Sequence, residues 1–257
     1  MTSAPYTVLD QPMAGVVRLS LARPDSLNAL SSEMMEDLLA RLQHIARDPH
    51  CRVLVLAAQG KAFSAGHDLR EMRTHPDLAF YQNLFAQCSR LMVALQQLPQ
   101  PVIAQIQGIA TAAGCQLVAM CDLAVASSTA RFAVSGINYG LFCSTPSVAL
   151  SRNVGRKKAM EMLLTGDFID AAQAEREGLI NLSVAPEQLE QAVTQLCQKI
   201  VAKPPASVRL GKALFYQQLE LGIAAAYQLA GQTMACNMMD EAAQEGFQAF
   251  LDKRAPE

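Results

Sequence analysis

Two stretches of the chain share one pattern and decide its fold. Residues 60–69 read GKAFSAGHDL, and residues 108–117 read GIATAAGCQL. Both fit Gly-x4-Ala-Gly-x-(Asp/Gln)-Leu, and they directly follow the short apolar runs Val53–Ala58 and Val102–Ile106. A short continuous apolar run bounded by turn residues is typical of a strand buried on both faces. The pattern therefore predicts two buried strands, each leading through a small-residue turn into the start of a helix.

The repeated turn has a chemical interpretation. Helix N-termini expose unpaired N–H groups and a partial positive charge, and residues as small as Ala and Gly let a foreign oxygen approach them. If the two strands are neighbours, the turns can point two donors at one oxygen. Such an oxyanion hole can gain roughly 3–4 kcal/mol per donor in a transition state. Small residues also allow tight strand–helix packing, but the repeated spacing favours a site.

The rest of the chain predicts an α/β fold with a helical end. Strands and helices are predicted to alternate over residues 1 to about 185. Besides the two buried strands, strands are predicted around Tyr6–Leu9, Val16–Leu21 and Leu123–Ala126. Residues 186–257 read as helical apart from a Pro-Pro break at 204–205. Ser32, Thr145 and Asp170 are predicted to be helix N-caps, and an apolar stripe predicts a helix over Phe80–Leu98.

Composition excludes several classes of protein. The 257 residues are 51% hydrophobic and 17% charged, with a net charge of -2. That composition argues against disorder, and the missing basic surplus argues against nucleic-acid binding. No apolar run is long enough for a membrane span. The N-terminus lacks a targeting pattern, which predicts a cytosolic chain or one already processed. Seven scattered cysteines and four histidines without metal-site spacing predict reduced thiols and no metal.

Four segments together resemble the crotonase, or enoyl-CoA hydratase/isomerase, superfamily. They read RPDSLNAL at 23–30, GKAFSAGHDLREM at 60–72, PVIAQIQGIATAAGCQLVAMCDLAVA at 101–126 and LTGDFIDAAQAEREGLIN at 164–181. The likeness covers essentially the full length, and the order and spacing of the two middle motifs are highly specific.

The resemblance implies a spiral of ββα units in residues 1–185 that carries an acyl-CoA site. Residues 186–257 would form a helical trimerisation region within the same functional unit, in a homotrimer or a dimer of trimers. The backbone amides of Ala65 and Ala113 would polarise the thioester carbonyl and stabilise an enolate. Coenzyme A belongs to the substrate, and no separate cofactor is implied. Substrate contacts are implied at Arg23, Ala65, Gly66, His67, Asp68 and Leu69, and at Lys253 and Arg254 from a neighbouring subunit.

The sequence departs from the family at its acid–base positions. Hydratases of the family use two glutamates, whose positions hold Gln116 and Gly136 here; other members use an aspartate where Ser144 stands. Between Asp77 and Glu161 the only acidic residue is Asp122. It lies in a Met-Cys-Asp-Leu motif that also occurs in active relatives, where this aspartate is not the catalytic group. Gln116 can hold a water but cannot take its proton. Hydration by two glutamates is therefore not expected.

Three functions stay open at this point. The first is an enoyl-CoA hydratase/isomerase-type enzyme that keeps the oxyanion hole but has altered acid–base chemistry. The second is a non-catalytic acyl-CoA binding or regulatory protein. The third is a thioester hydrolase with Ser144 or Cys143 as its nucleophile, although Cys143 and Cys115 have the alternative of being buried structural thiols.

Two smaller features also leave alternatives. His67 and Asp68 have the look of a catalytic dyad, although substrate contact or loop ordering is the favoured interpretation. Four large side chains could line the acyl pocket or could equally belong to the core: Phe63, Met72, Tyr81 and Phe142.

Overall fold

The computed structural model describes residues 5–255, which form two sheets wrapped by helices. The larger sheet has the order β1-β2-β3-β5-β7-β10, and the smaller one has the order β4-β6-β8-β9. The strands are β1 Thr7–Met13, β2 Val16–Leu21, β3 Val53–Ala58, β4 Ala62–Ser64, β5 Val102–Ile106, β6 Ile109–Thr111, β7 Leu123–Ser127, β8 Arg131–Ala133, β9 Ile169–Asp170 and β10 Leu182–Val184.

Helices alternate with the strands as far as β10 and then fill the C-terminal part of the chain. They are α1 Ser32–Ala46, α2 Leu69–Thr74, α3 Leu78–Gln97, α4 Ala113–Met120, α5 Ser144–Asn153, α6 Arg156–Thr165, α7 Ala171–Arg176, α8 Leu189–Val201, α9 Pro205–Leu219, α10 Ile223–Met238 and α11 Glu241–Leu251. Short 3-10 helices cover Pro24–Ser26, Ser135–Tyr139 and Pro186–Gln188.

The repeating unit is a long strand, a short strand and then a helix. β3, β5 and β7 pair in parallel in the larger sheet, and β4, β6 and β8 pair in parallel in the smaller one. Each long strand is buried because helices cover one face of the sheet and the smaller sheet and further helices surround the other. The predicted α/β spiral of ββα units is confirmed, and β3 and β5 begin and end at the predicted residues.

Two predicted helix caps are wrong by one or two positions. Ser31, not Ser32, caps α1, with its hydroxyl accepting from the Met34 amide. α5 is preceded by Cys143 without a side-chain cap, so Thr145 lies inside the helix. Asp170 caps α7 as predicted, accepting from the Gln173 amide. Serine and threonine in a row offer equal capping chemistry, and the tertiary path of the chain decides between them.

The C-terminal helices pack on the spiral at two places. α8 covers the outer face of the larger sheet, where Leu189, Val193 and Cys197 meet Val55 and Ile103. α9 is held by a buried ion pair between Lys212 Nζ and Asp122 Oδ2 at 2.7 Å. Residues 186–257 are therefore helical, as predicted; their role in trimerisation stays a prediction. Across residues 5–255 no helix is both long and apolar enough to cross a membrane.

Candidate active site

The two repeated turns lie in direct contact. β4 and β6 pair in parallel, with Ser64 opposite Ala110. Gly66 has φ +90°, and a Cβ there would lie 2.8 Å from the Ala112 Cβ and 3.1 Å from the Ala113 nitrogen. Only glycine fits that space and that conformation without displacing the neighbouring turn. The sequence prediction that the turns are neighbours is confirmed.

The second turn holds a strained residue. Ala112 has φ 50° and ψ -122°, a conformation that residues with a Cβ rarely adopt. Its amide donates to the Ala133 carbonyl at 3.0 Å, which fixes the turn against β8. Backbone strain of this kind costs of order 1–3 kcal/mol and clusters at functional sites. Here it sets the direction of the Ala113 amide at the start of α4.

The first predicted donor needs a correction. The Ala65 amide donates to the Leu27 carbonyl at 3.0 Å and is therefore not available to a ligand. The Gly66 amide makes a long contact of 3.3 Å with the Ser64 hydroxyl. Within residues 5–255, by contrast, no acceptor meets the amides of His67 and Ala113. The two free donors that flank the contact between the turns are those of His67 and Ala113.

A cavity of about 870 Å³ opens beside the first turn. The loop over residues 22–29 forms one wall, and the predicted substrate residues Arg23, Ala65, His67, Asp68 and Leu69 line it together. Gly66 lies at the contact between the turns and is not part of this lining. Sequence reasoning thus selected residues from two distant segments that the fold brings to one cavity.

Asn28 holds the wall of the cavity, a role that the sequence analysis missed. Its side chain is fully buried, and its Nδ2 donates to the Gln59 and Ala62 carbonyls at 2.8 and 2.9 Å. Its Oδ1 accepts from the Arg23 amide at 2.9 Å. A buried asparagine with three such bonds rigidifies a loop. In the sequence, only its place in the RPDSLNAL motif could have pointed to this role.

His67 lines the cavity, and its imidazole packs against α3. Its ring meets the Phe85 ring edge-on, with 5.3 Å between centroids, and its Nε2 is buried without a partner. Burial lowers the pKa of His67 to about 4, so the ring is neutral at pH 7. The dyad interpretation is wrong, because the Asp68 carboxylate caps α2 and accepts from the Arg70 and Glu71 amides.

Protonation of His67 should make the fold less stable in acid. The folded pKa lies below the ordinary value of about 6.5, so the unfolded chain binds the proton more tightly between pH 6.5 and 4. The full contribution is present above pH 6.5 and is lost as the pH falls towards 4, by up to roughly 3 kcal/mol. Urea unfolding at pH 7.5 and 4.5 should show a larger drop for the wild type than for His67→Phe. Equal drops would contradict the assignment.

The other charged groups around the ring do not reverse this direction. Asp68 follows His67 in the chain and is engaged at α2, and Glu71 of α2 bonds Ser32. On the α3 side the ring contacts Phe85, and Tyr81 stacks on Phe85. Along the cavity the remaining charges are those of Arg23, Asp25 and Arg70.

Gln116 lies one turn into α4, three residues after the free Ala113 amide. The residue is 4% exposed, and its Oε1 is buried and has no partner among residues 5–255. Buried polar atoms are hydrogen-bonded in the great majority of cases, so this unpaired oxygen marks a place for a ligand or a water. An amide can position either one but cannot accept its proton.

Gly136 stands where the space for a side chain is already filled. A Cβ there would lie 2.6 Å from the Leu141 carbonyl oxygen and 2.8 Å from the Cys143 Sγ. The Gly136 amide donates to that sulfur at 3.3 Å. The neighbouring Ser135 hydroxyl bonds Thr111 at 2.8 Å, which places this segment beside the second turn. Residue 136 therefore lies near the turn but offers no acid–base group.

In the described part of the chain no base is hydrogen-bonded to either proposed nucleophile. The Ser144 hydroxyl is exposed and donates to the Phe142 carbonyl at 3.3 Å. Burial raises the pKa of the Cys143 thiol and raises that of Cys115 to about 12. A nucleophile needs a base within hydrogen-bond reach or a lowered pKa. All seven cysteines are free thiols and six are buried, as the sequence predicted.

The remaining predicted positions fall outside the cavity. Arg254 pairs with Glu245 and Asp252 beyond α11, and neither it nor Lys253 lines the cavity of its own chain. Their contact with a ligand of a neighbouring subunit stays a prediction.

The four large side chains that the sequence assigned to either the acyl pocket or the core differ in their burial. Phe63 is fully buried in the core, whereas Phe142 is 38% exposed. Tyr81 and Met72 are partly buried and are joined by a bond from the Tyr81 hydroxyl to the Met72 carbonyl at 3.1 Å.

Comparison with known proteins gives the same assignment as the geometry. Residues 11–257 match the family described as "Enoyl-CoA hydratase/isomerase". The chain belongs to the enoyl-CoA hydratase/isomerase family. The rat protein "Enoyl-CoA hydratase domain-containing protein 3, mitochondrial" is 43% identical over 99% of this chain and 85% of its own length. A "Probable enoyl-CoA hydratase" of Rhizobium meliloti is 34% identical over 98% and 97%.

Solved structures of family members superpose closely on this one. An enoyl-CoA hydratase from Mycobacterium smegmatis is 59% identical, with a TM-score of 0.97 over 99% of both chains. Human enoyl-CoA hydratase domain-containing protein 3 is 42% identical, with a TM-score of 0.94 over 98% of this chain and all of that one. The crotonase resemblance inferred from the motifs is confirmed.

Proposed function

We propose that this protein binds an acyl-CoA thioester and stabilises its enolate between the amides of His67 and Ala113. The observation that carries the proposal is the contact of two small-residue turns whose following amides have no acceptor. Donors fixed before the reaction need no reorganisation when negative charge develops on the thioester oxygen. The cavity beside the turns, lined by Arg23 and His67, would receive the ligand, with its thioester at the two amides.

This site should hydrate enoyl thioesters poorly. Neither Gln116 nor Gly136 carries a carboxylate, and general acid–base catalysis contributes about 100- to 10,000-fold. Hydration of crotonyl-CoA, followed by the loss of enoyl absorbance, is expected to be absent or at least about 100-fold slower than in a two-glutamate hydratase. Robust turnover that Gln116→Ala leaves unchanged would contradict the proposal that hydration is lost.

Two other functions are separated by the same assays. A non-catalytic acyl-CoA binding protein is favoured by the lack of an acidic residue at positions 116 and 136, and it would bind the thioester without changing it. A thioester hydrolase would release free coenzyme A, but Ser144 and Cys143 have no base beside them. A release rate that Ser144→Ala and Cys143→Ala do not alter removes the hydrolase.

Calorimetry with butyryl-CoA tests the binding half of the proposal. A saturated acyl chain cannot be hydrated, so the heat reports binding alone. We expect butyryl-CoA to bind more tightly than coenzyme A, because only the thioester offers a carbonyl to the two amides. Equal affinity for both compounds, or no binding of either, would contradict the proposal.

Assembly and cellular location also remain proposals. Large apolar side chains stay exposed on the C-terminal helices, among them Phe215, Tyr227 and Phe250. Such a surface fits the homotrimer, or dimer of trimers, that the family resemblance implies. The rat relative is named as mitochondrial, which is compatible with a processed organellar form; a cytosolic location stays an untested prediction.

A further inference from the structure

The proposed enolate can form only if a group at the site removes a proton from the acyl Cα. Asp122 is the only acidic residue between Asp77 and Glu161. Its carboxylate accepts hydrogen bonds from Lys212, Tyr216 and the Val102 amide. Cys115 and Cys143 keep their protons because burial raises both pKa values. Gln116 cannot accept a proton. None of these groups can serve as a base.

His67 is different from every other titratable group at the site. Its backbone amide is one of the two free donors, the residue lines the cavity, and its ring contacts Phe85 of α3. The buried Nε2 has no partner within residues 5–255. Leaving a buried polar atom unpaired costs about 1–3 kcal/mol, which is unusual for a histidine that only packs. A catalytic role is one of the recognised explanations for such an atom.

We propose that the imidazole of His67 is the catalytic base that takes a proton from the acyl Cα of the bound thioester. This inference rests on the proposed function, because the acyl group must first be held by the two amides. One ring nitrogen uses its lone pair to bind the proton. The C–H electron pair becomes the enolate double bond, and the carbonyl pair moves to the thioester oxygen that the His67 and Ala113 amides hold. Return of a proton from the imidazolium to carbon restores the thioester.

The electrostatics support this direction of transfer. Burial keeps the free ring neutral and its lone pair unsolvated, so it is ready to accept a proton. The enolate that forms beside it is an anion, and a neighbouring anion favours the protonated ring. The base is therefore weak before the reaction and becomes stronger as the negative charge develops. Asp68 does not take part, since its carboxylate caps α2.

Deuterium incorporation into butyryl-CoA in D₂O tests the proposal without any hydration step. The wild type is expected to exchange the acyl Cα hydrogens, detected by mass spectrometry or NMR. His67→Phe keeps the ring packing on Phe85, and His67→Asn keeps a hydrogen-bonding side chain; both should lower the rate by at least about 100-fold. His50→Asn changes an exposed histidine outside the site and should exchange like the wild type.

The accompanying binding measurement separates the two claims. Both His67 variants keep the backbone amide, so their affinity for butyryl-CoA should stay within about 3-fold of the wild type. Binding without exchange in the wild type, or wild-type exchange in His67→Phe, would overturn the role of His67 and leave the binding proposal intact. If the wild type does not bind butyryl-CoA, both proposals are wrong. His67→Phe should fold at pH 7.5, because it removes an unpaired buried nitrogen and fills the same space.

Discussion

Gly66→Ala is expected to lower the rate of Cα exchange in butyryl-CoA by about 100- to 1,000-fold. The new Cβ would lie 2.8 Å from the Ala112 Cβ and 3.1 Å from the Ala113 nitrogen, so the two turns must separate. Donors are effective only when they are fixed where charge develops, and a displacement of about 1 Å can cost about 100-fold. The exchange assay measures the effect, and calorimetry shows whether the cavity still binds coenzyme A.

Gly178→Ala is the matched control for this substitution. Gly178 has φ +84°, close to the +90° of Gly66, and follows α7 far from the two turns in sequence. A Cβ there would approach only the Asn153 carbonyl, at 3.2 Å. Both variants therefore carry a comparable backbone strain of roughly 1–2 kcal/mol, but only one disturbs the proposed oxyanion hole. Equal exchange rates in the two variants would contradict the proposed role of the turns.

Asp122→Asn is expected to lower the free energy of unfolding by about 3–5 kcal/mol. The carboxylate accepts from Lys212 Nζ at 2.7 Å, from the Tyr216 hydroxyl at 2.8 Å and from the Val102 amide at 2.6 Å. The side chain of Lys212 is only 7% exposed. Removing one member of a buried pair leaves the other charge uncompensated, which costs more than the pair contributes. Chemical denaturation at pH 7.5 measures the loss.

Two further variants define how this loss arises. The double variant Asp122→Asn/Lys212→Met should be more stable than Asp122→Asn alone, because the unpaired ammonium is removed. Glu220→Gln breaks the exposed Arg152–Glu220 pair and should cost at most about 1 kcal/mol. If Asp122→Asn also costs less than about 1 kcal/mol, the ion pair does not hold α9 on the spiral.

The sequence predicted those elements whose signal is local and repeated. β3 and β5 are continuous apolar runs between turn residues, and no other pattern competes with a buried strand there. The strands of the smaller sheet, such as β6 and β8, were not predicted. Three residues are too few for an alternation to be recognised, and their pairing depends on strands far away in the chain.

The candidate site shows the same division. The repeated pattern predicted two turns in contact. The same small residues follow two strands, and glycine allows a close approach at each turn. The choice between the Ala65 and His67 amides was beyond sequence reasoning, since the acceptor that occupies Ala65 is the carbonyl of Leu27 in another loop. The filling of the space at Gly136 by Cys143 is likewise a tertiary contact.

Isotope-edited infrared spectroscopy of butyryl-CoA labelled with ¹³C at the thioester carbonyl tests the central claim most directly. Two hydrogen bonds from the His67 and Ala113 amides polarise the carbonyl and weaken its double bond. The carbonyl band of the bound ligand should therefore shift to lower frequency in the wild type and in Gly178→Ala. The shift should be lost in Gly66→Ala. A band that stays at its solution frequency in the saturated wild-type complex would contradict the proposed oxyanion hole.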